Sequence, residues 1–137
     1  MKPRPSRHAG GSSGDWLAHA ESDLNLARLA RHRSDVLPEQ VCFHAQQAAE
    51  KVLKAVLLHR GVAFPRTHDI QQLIVLVRQS GLGPSSELGR AAALTPYAAE
   101  ARYPDYPDEI TPEEVDEAIQ LAEAVLSWGA TLIRSIG

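Results

Sequence analysis

Six residues scattered along the chain have types suited to holding a charged small molecule: Gln47, Lys51, Lys54, His68, Arg102 and Tyr103. Gathered by a helical fold, they would offer cations, amide and imidazole hydrogen bonds, and an aromatic face. That set suits a phosphorylated or nucleotide-like group. It lacks an evident nucleophile, a metal or a tuned carboxylate pair, so no catalytic residue is assigned. The glycines are too scattered for a phosphate-cradling loop. No His pair at i, i+4 and no Cys pair supports a zinc site, and no cofactor is implied. His19, His32 and His59 read as surface or boundary residues, whereas His44 follows Phe43 at the edge of a polar strip.

The element that must carry three of the six is Val41–Leu58. It contains no Gly or Pro and is rich in good helix formers, which predicts a helix. At about 100° per residue, Val41, Ala45, Ala48, Ala49, Val52, Ala55 and Val56 fill one apolar arc. Gln46, Gln47, Glu50, Lys51 and Lys54 form a narrow polar strip opposite, bordered by Phe43, Leu57 and Leu58. A framed strip suggests a helix buried on most sides, its polar groups aimed at a partner, another subunit or a ligand. Periodicity alone favours the plainer reading, a core helix whose polar side meets water.

The other elements follow from spacing and caps. A first helix is predicted from Asp15 to about His32, with Leu17, Ala20, Leu24 and Ala27 as its stripe; Asp23 borders that stripe and could pair with a cation of the central helix. Pro38 suits the first turn of the central helix, and Gly61 its end. Thr67 is expected to cap a third helix, with His68 in its first turn, where the dipole should keep the imidazole neutral. A weaker fourth helix, from about Ser86 to Ala101, should be kinked by Pro96. Arg102–Asp108 carries two prolines and reads as an extended loop holding a cation beside two tyrosines. Thr111-Pro112-Glu113-Glu114 is a strong start for a fifth helix running to about Ser135. Its stripe of Val115, Ile119, Ala122, Leu126, Gly129 and Ile133 is widened by Leu121, Val125, Trp128 and Leu132, enough for two layers, one of them from a second subunit.

The fold class predicted is all-α: an antiparallel up-and-down helical bundle of four long helices plus a shorter fifth, over residues 15–137, behind a disordered tail of residues 1–14. A chain of 137 residues is one domain. Its net charge of -3 gives no general push towards nucleic acid. The single cysteine, Cys42, fits a reducing cytoplasm and reads as a buried hydrophobe. No apolar run approaches the roughly 20 residues needed to span a bilayer, and the basic N-terminus lacks the apolar segment of a secretory signal. A cytoplasmic protein without membrane contact is expected.

Three segments carry a family resemblance. Phe43–Leu57 (F-H-A-Q-Q-A-A-E-K-V-L-K-A-V-L), Thr67–Leu73 (T-H-D-I-x-x-L) and Ala101–Asp105 (A-R-Y-P-D) resemble HEPN domains, the higher eukaryotes and prokaryotes nucleotide-binding domain. The resemblance runs from Trp16 to the end of the fifth helix. It implies a small helical bundle that forms a homodimer. It also implies a minimal nucleotidyltransferase as partner, in a complex or a toxin–antitoxin pair. Many such proteins are metal-independent ribonucleases whose signature is Arg, four to six residues, then His. No pair here has that spacing: no His follows His68, three residues separate Arg28 from His32, and seven separate Arg60 from His68. The expectation is therefore a subunit that binds a nucleotide, another phosphorylated substrate or RNA, and is not itself a standard nuclease; the rival is a ribonuclease toxin with a non-standard site, borrowing His44 or His68 across a dimer.

Overall fold

A computed structural model describes residues 11–82, 86–98 and 109–135. Five α-helices appear in order among them: α1 (Ser13–Ala30), α2 (Pro38–His59), α3 (Ile70–Gln79), α4 (Ser86–Arg90) and α5 (Pro112–Ser135), with no strand among the described residues. None of these helices is long and apolar enough to cross a membrane.

Local chemistry accounts for most boundaries. α1 starts at Ser13, earlier than the expected Asp15, because Asp15 closes a capping box rather than opening the helix. Its amide donates to Ser12 Oγ at 3.0 Å, and the Ser12 amide donates to its carboxylate at 3.0 Å. Pro38 begins α2 as expected. Gly61, at φ 74°, ends it: the Gly61 amide donates to Leu58 O at 3.0 Å and the Val62 amide to Leu57 O at 2.9 Å, a Schellman turn that only a residue tolerant of positive φ closes cheaply. Thr111 and Glu114 cap α5 reciprocally, at 3.0 and 3.1 Å.

Two further expectations are corrected. The cap of α3 is Asp69, whose Oδ1 accepts from the Gln71 and Gln72 amides; Thr67 instead accepts from the Asp69 amide at 3.0 Å. His68 therefore lies before the helix rather than in its first turn. A carboxylate satisfies two orphan amides better than a hydroxyl does, so the start moves to it. The weak fourth helix lasts only five residues and continues as a 3-10 segment, Ala91–Ala98, which contains Pro96. Proline supplies no amide for an α-helical ladder, and a short 3-10 run tolerates that loss.

α2 is the centre of the bundle. α1 packs antiparallel to it, and α5 packs against both. The predicted apolar arc of α2 is buried throughout, as are Leu17, Ala20, Leu24 and Ala27 of α1 and Val115, Ile119, Ala122 and Val125 of α5. Leu126, Trp128, Leu132 and Ile133 of the same wide stripe are only partly buried. Arg28–Glu123 at 2.9 Å, Arg134–Glu21 at 3.1 Å and Arg31–Asp116 lace α1 to α5 in antiparallel register. The two exposed pairs, Arg28–Glu123 and Arg134–Glu21, contribute about 0–1 kcal/mol each, so they guide register more than they stabilise.

The α2–α5 contact is close because Gly129 has no side chain: a Cβ there would lie 2.2 Å from Val52 Cγ1 and 3.3 Å from Val56 Cγ2. Overpacking costs about 1–3 kcal/mol and outweighs the roughly 1 kcal/mol that alanine gains in helix propensity. Gly129→Ala should therefore lower stability in urea denaturation, and adding Val52→Ala should recover part of the loss.

Cys42 is fully buried, and its thiol is pushed up from 9.0 to about 12. Burial is the main cause, the Glu114 and Glu39 carboxylates add to it, and a hydrogen bond with Tyr97 opposes it. A thiol raised in the folded state keeps its proton where the unfolded chain has lost it. Its contribution to stability is full below about pH 9 and is lost as pH rises towards about 12. The native protein should resist thiol reagents at mildly alkaline pH and react only as fast as it unfolds. Rapid labelling without unfolding would contradict the burial.

Candidate functional site

The polar strip of α2 is turned inward. Gln46, Glu50 and Lys54 follow one another at i, i+4 on a single ridge, and all three are buried. Glu50 is the hub. Its Oε1 accepts from Gln46 Nε2 at 2.9 Å and meets His68 Nδ1 at 2.8 Å, while its Oε2 accepts from Lys54 Nζ at 2.9 Å. Gln46 Nε2 also reaches the His68 carbonyl at 3.3 Å, tying the loop after α2 back onto the helix.

A second cluster sits nearer the start of α2. Asp23 of α1 accepts from Lys51 Nζ at 2.6 Å and pairs with His44 Nδ1 at 3.0 Å. The expected partnership between Asp23 and a cation of the central helix is thus formed. In both clusters a carboxylate engages the imidazole Nδ1, leaving Nε2 as the atom able to exchange a proton with something else.

The strip therefore does not meet bulk water, as periodicity alone favoured; α1 and the loop from Val62 to Asp69 cover it. The fate of the six sequence-derived residues differs. Lys54 and His68 come together on Glu50. Lys51 is bound by Asp23, and Gln47 donates to Gln46 Oε1 at 2.7 Å, so both serve the packing. Arg102 and Tyr103 lie outside the described residues. His68 lies one residue before the Asp69 cap, with its ring against a buried carboxylate.

Beside the Glu50 cluster lies a pocket of about 250 Å³, lined by Trp16, Lys54, Phe64, Pro65, Arg66, Thr67 and His68. Trp16 and Phe64 meet edge to face, 6.2 Å between centroids at 88°. The Lys54 ammonium stands 5.8 Å from each ring centroid. Cation–π attraction from two rings and the charge of Glu50 together offset the cost of burying this lysine. Chemically the pocket is an apolar corner with a cationic edge: it can accept an anion attached to a flat or apolar body.

Trp16, Phe64 and Arg66 were not singled out from sequence. The Arg66-Thr67-His68 triplet was the available signal, three donor-bearing residues in succession. Nothing local announced the aromatic corner, because Trp16 and Phe64 meet only when the loop folds back over the start of α1. Among the described residues, no group of three His, Cys, Asp or Glu side chains is placed to hold a metal ion.

Removing one member of a buried ion pair typically costs about 3–5 kcal/mol. Glu50→Gln should destabilise the fold by an amount of that order, while Glu50→Gln combined with Lys54→Met should lose much less. Urea denaturation of the wild type, the two single variants Glu50→Gln and Lys54→Met, and the double variant measures the coupling; losses that simply add in the double variant would show that the pair contributes nothing.

The family model of the HEPN domain matches residues 13–132. No curated protein matches the chain. Among solved structures, the crystal structure of an archaeal HEPN homologue superimposes with a TM-score of 0.71 at 31% sequence identity, over 90% of this chain and 99% of that one.

Proposed function

This chain belongs to the HEPN-domain family, and from that premise we propose that it is a non-nucleolytic subunit that binds a nucleotide or other phosphorylated group. It would act as a homodimer beside a minimal nucleotidyltransferase, in a two-component or toxin–antitoxin-like module, in the cytoplasm. One observation carries the binding assignment: the pocket in which buried Lys54 and exposed Arg66 and His68 border the rings of Trp16 and Phe64. The nucleotidyltransferase partnership is supported by the resemblance of the three sequence segments. The non-nucleolytic assignment is supported by the missing Arg–His spacing, which is a property of the whole sequence.

A second reading has its own support. His44 and His68 are each oriented by a carboxylate, Asp23 and Glu50, and such an arrangement is what a general acid–base catalyst needs. On that reading the protein cleaves RNA through a non-standard site.

The two readings separate in one set of assays. Metal-stripped protein, incubated alone with RNA, should leave it intact; co-expressed with the product of the neighbouring gene, it should co-elute with it, and that product should be a minimal nucleotidyltransferase. Titration calorimetry should detect a phosphorylated ligand whose binding is lost in the Arg66→Ala, His68→Ala double variant. Robust cleavage by the lone protein, abolished by His44→Ala or His68→Ala, would instead establish the second reading.

A further inference from the structure

We propose that the Trp16–Lys54–His68 pocket takes a single nucleotide unit bearing one terminal phosphate: a nucleoside 5′-monophosphate, or the 5′-phosphorylated end of an RNA. The phosphate would be held by Lys54 and Arg66, with His68 at its edge, and the base would lie against Trp16. This narrows the phosphate-binding reading above and rests on it.

The donor balance comes first. Glu50 is the carboxylate next to the pocket, and its two oxygens already serve Lys54, His68 and Gln46. Lys54 has three N–H groups and gives one to Glu50. Arg66 makes no ion pair among the described residues. Thr67 Oγ1 accepts from the Asp69 amide and still has its own proton to donate. The Asp69 carboxylate is turned onto the amides of α3. Donors thus outnumber acceptors around this space. The complementary ligand is one that only accepts, and a phosphate does so from a bidentate guanidinium and an ammonium at once.

The charge balance then sets how much phosphate fits. Lys54 and Arg66 bring two positive charges, of which Glu50 cancels one, and the His68 ring lies beside them. A net positive remainder of this size suits a single phosphomonoester, which carries about -1.5 to -2 near neutrality, better than a longer phosphate chain. A triphosphate would bring far more negative charge than this cluster answers. Size agrees: about 250 Å³ is just under the roughly 300–1,000 Å³ of common small-molecule sites, enough for one base with its phosphate at the edge. The aromatic corner supplies the remaining specificity, because stacking of a base on an aromatic side chain is sequence-tolerant and strengthens binding roughly tenfold.

Titration calorimetry on the full chain tests this with AMP, adenosine, inorganic phosphate, ATP and short RNAs with a 5′-phosphate or 5′-hydroxyl. AMP should bind at least about tenfold tighter than adenosine or inorganic phosphate, and ATP no more than about threefold tighter than AMP. Arg66→Ala and Trp16→Leu should each weaken AMP by about fivefold or more with unchanged far-UV circular dichroism, while Arg33→Ala should not. A 5′-phosphorylated RNA that outbinds AMP identifies an RNA end as the source; one that does not identifies the free nucleotide. ATP binding more than about tenfold tighter than AMP, through the same Arg66, would overturn the one-phosphate inference and leave the phosphate-binding function standing. Adenosine binding as well as AMP, or AMP binding insensitive to both Arg66 and Trp16, would also overturn it. Failure of every phosphorylated compound to bind would remove both.

Discussion

A carboxylate inside a helical bundle must be neutralised, and the arrangement around Glu50 follows from that requirement. Desolvating an isolated charge costs far more than the net stability of a small domain, so Glu50 is tolerable only with donors on both oxygens. Lys54 and Gln46 come from the same helix at i, i+4. The third donor, His68, must be brought from the loop beyond α2. That loop therefore folds back onto α2, which sets Phe64 against Trp16 and lays Arg66 and Thr67 along the edge of the pocket. One electrostatic constraint thus fixes the path of a segment that has no regular structure of its own.

The same constraint divides the polar residues of α2 into two groups. Gln46, Gln47 and Lys51 are consumed by neighbours inside the chain, and their role is to satisfy buried groups and set the seam between α1 and α2. Lys54 lies at the border: its charge is needed by Glu50, yet it also lines open space. Residues in this position are suited to function because packing holds them still. A ligand meeting Lys54 need not order a long flexible side chain, a step that commonly costs about 0.5–1.5 kcal/mol in binding.

Most of the hydrophobic scaffold serves to hold this seam in place. α5 approaches α2 closely enough at Gly129 that Val52 and Val56 fill the space of a missing side chain. α1 is laced to α5 by ion pairs along its length. Asp23 and Trp16, which flank the two polar clusters, are thereby placed on a helix anchored from two sides. The imidazoles of His44 and His68 inherit their orientation from carboxylates on such anchored elements.

Sequence alone determined most of the helices, the two ends of α2, the start of α5 and the buried arc of α2, because these depend on interactions within a few residues: periodicity, Pro38, Gly61, and the Thr111–Glu114 box. It also marked Lys54 and His68, and the family motifs that contain them. It misplaced the start of α3, where Thr67 and Asp69 compete as caps and a difference of about 1 kcal/mol decides. What the polar strip faces could not be read from it. That answer depends on a loop folding back to bring His68 to Glu50 and Phe64 to Trp16, contacts between residues far apart in the chain. Only the tertiary structure could therefore assign Gln47 and Lys51 to packing, and Lys54, Arg66 and His68 to a shared pocket, since the burial of Glu50 that selects this arrangement exists only once the bundle has closed.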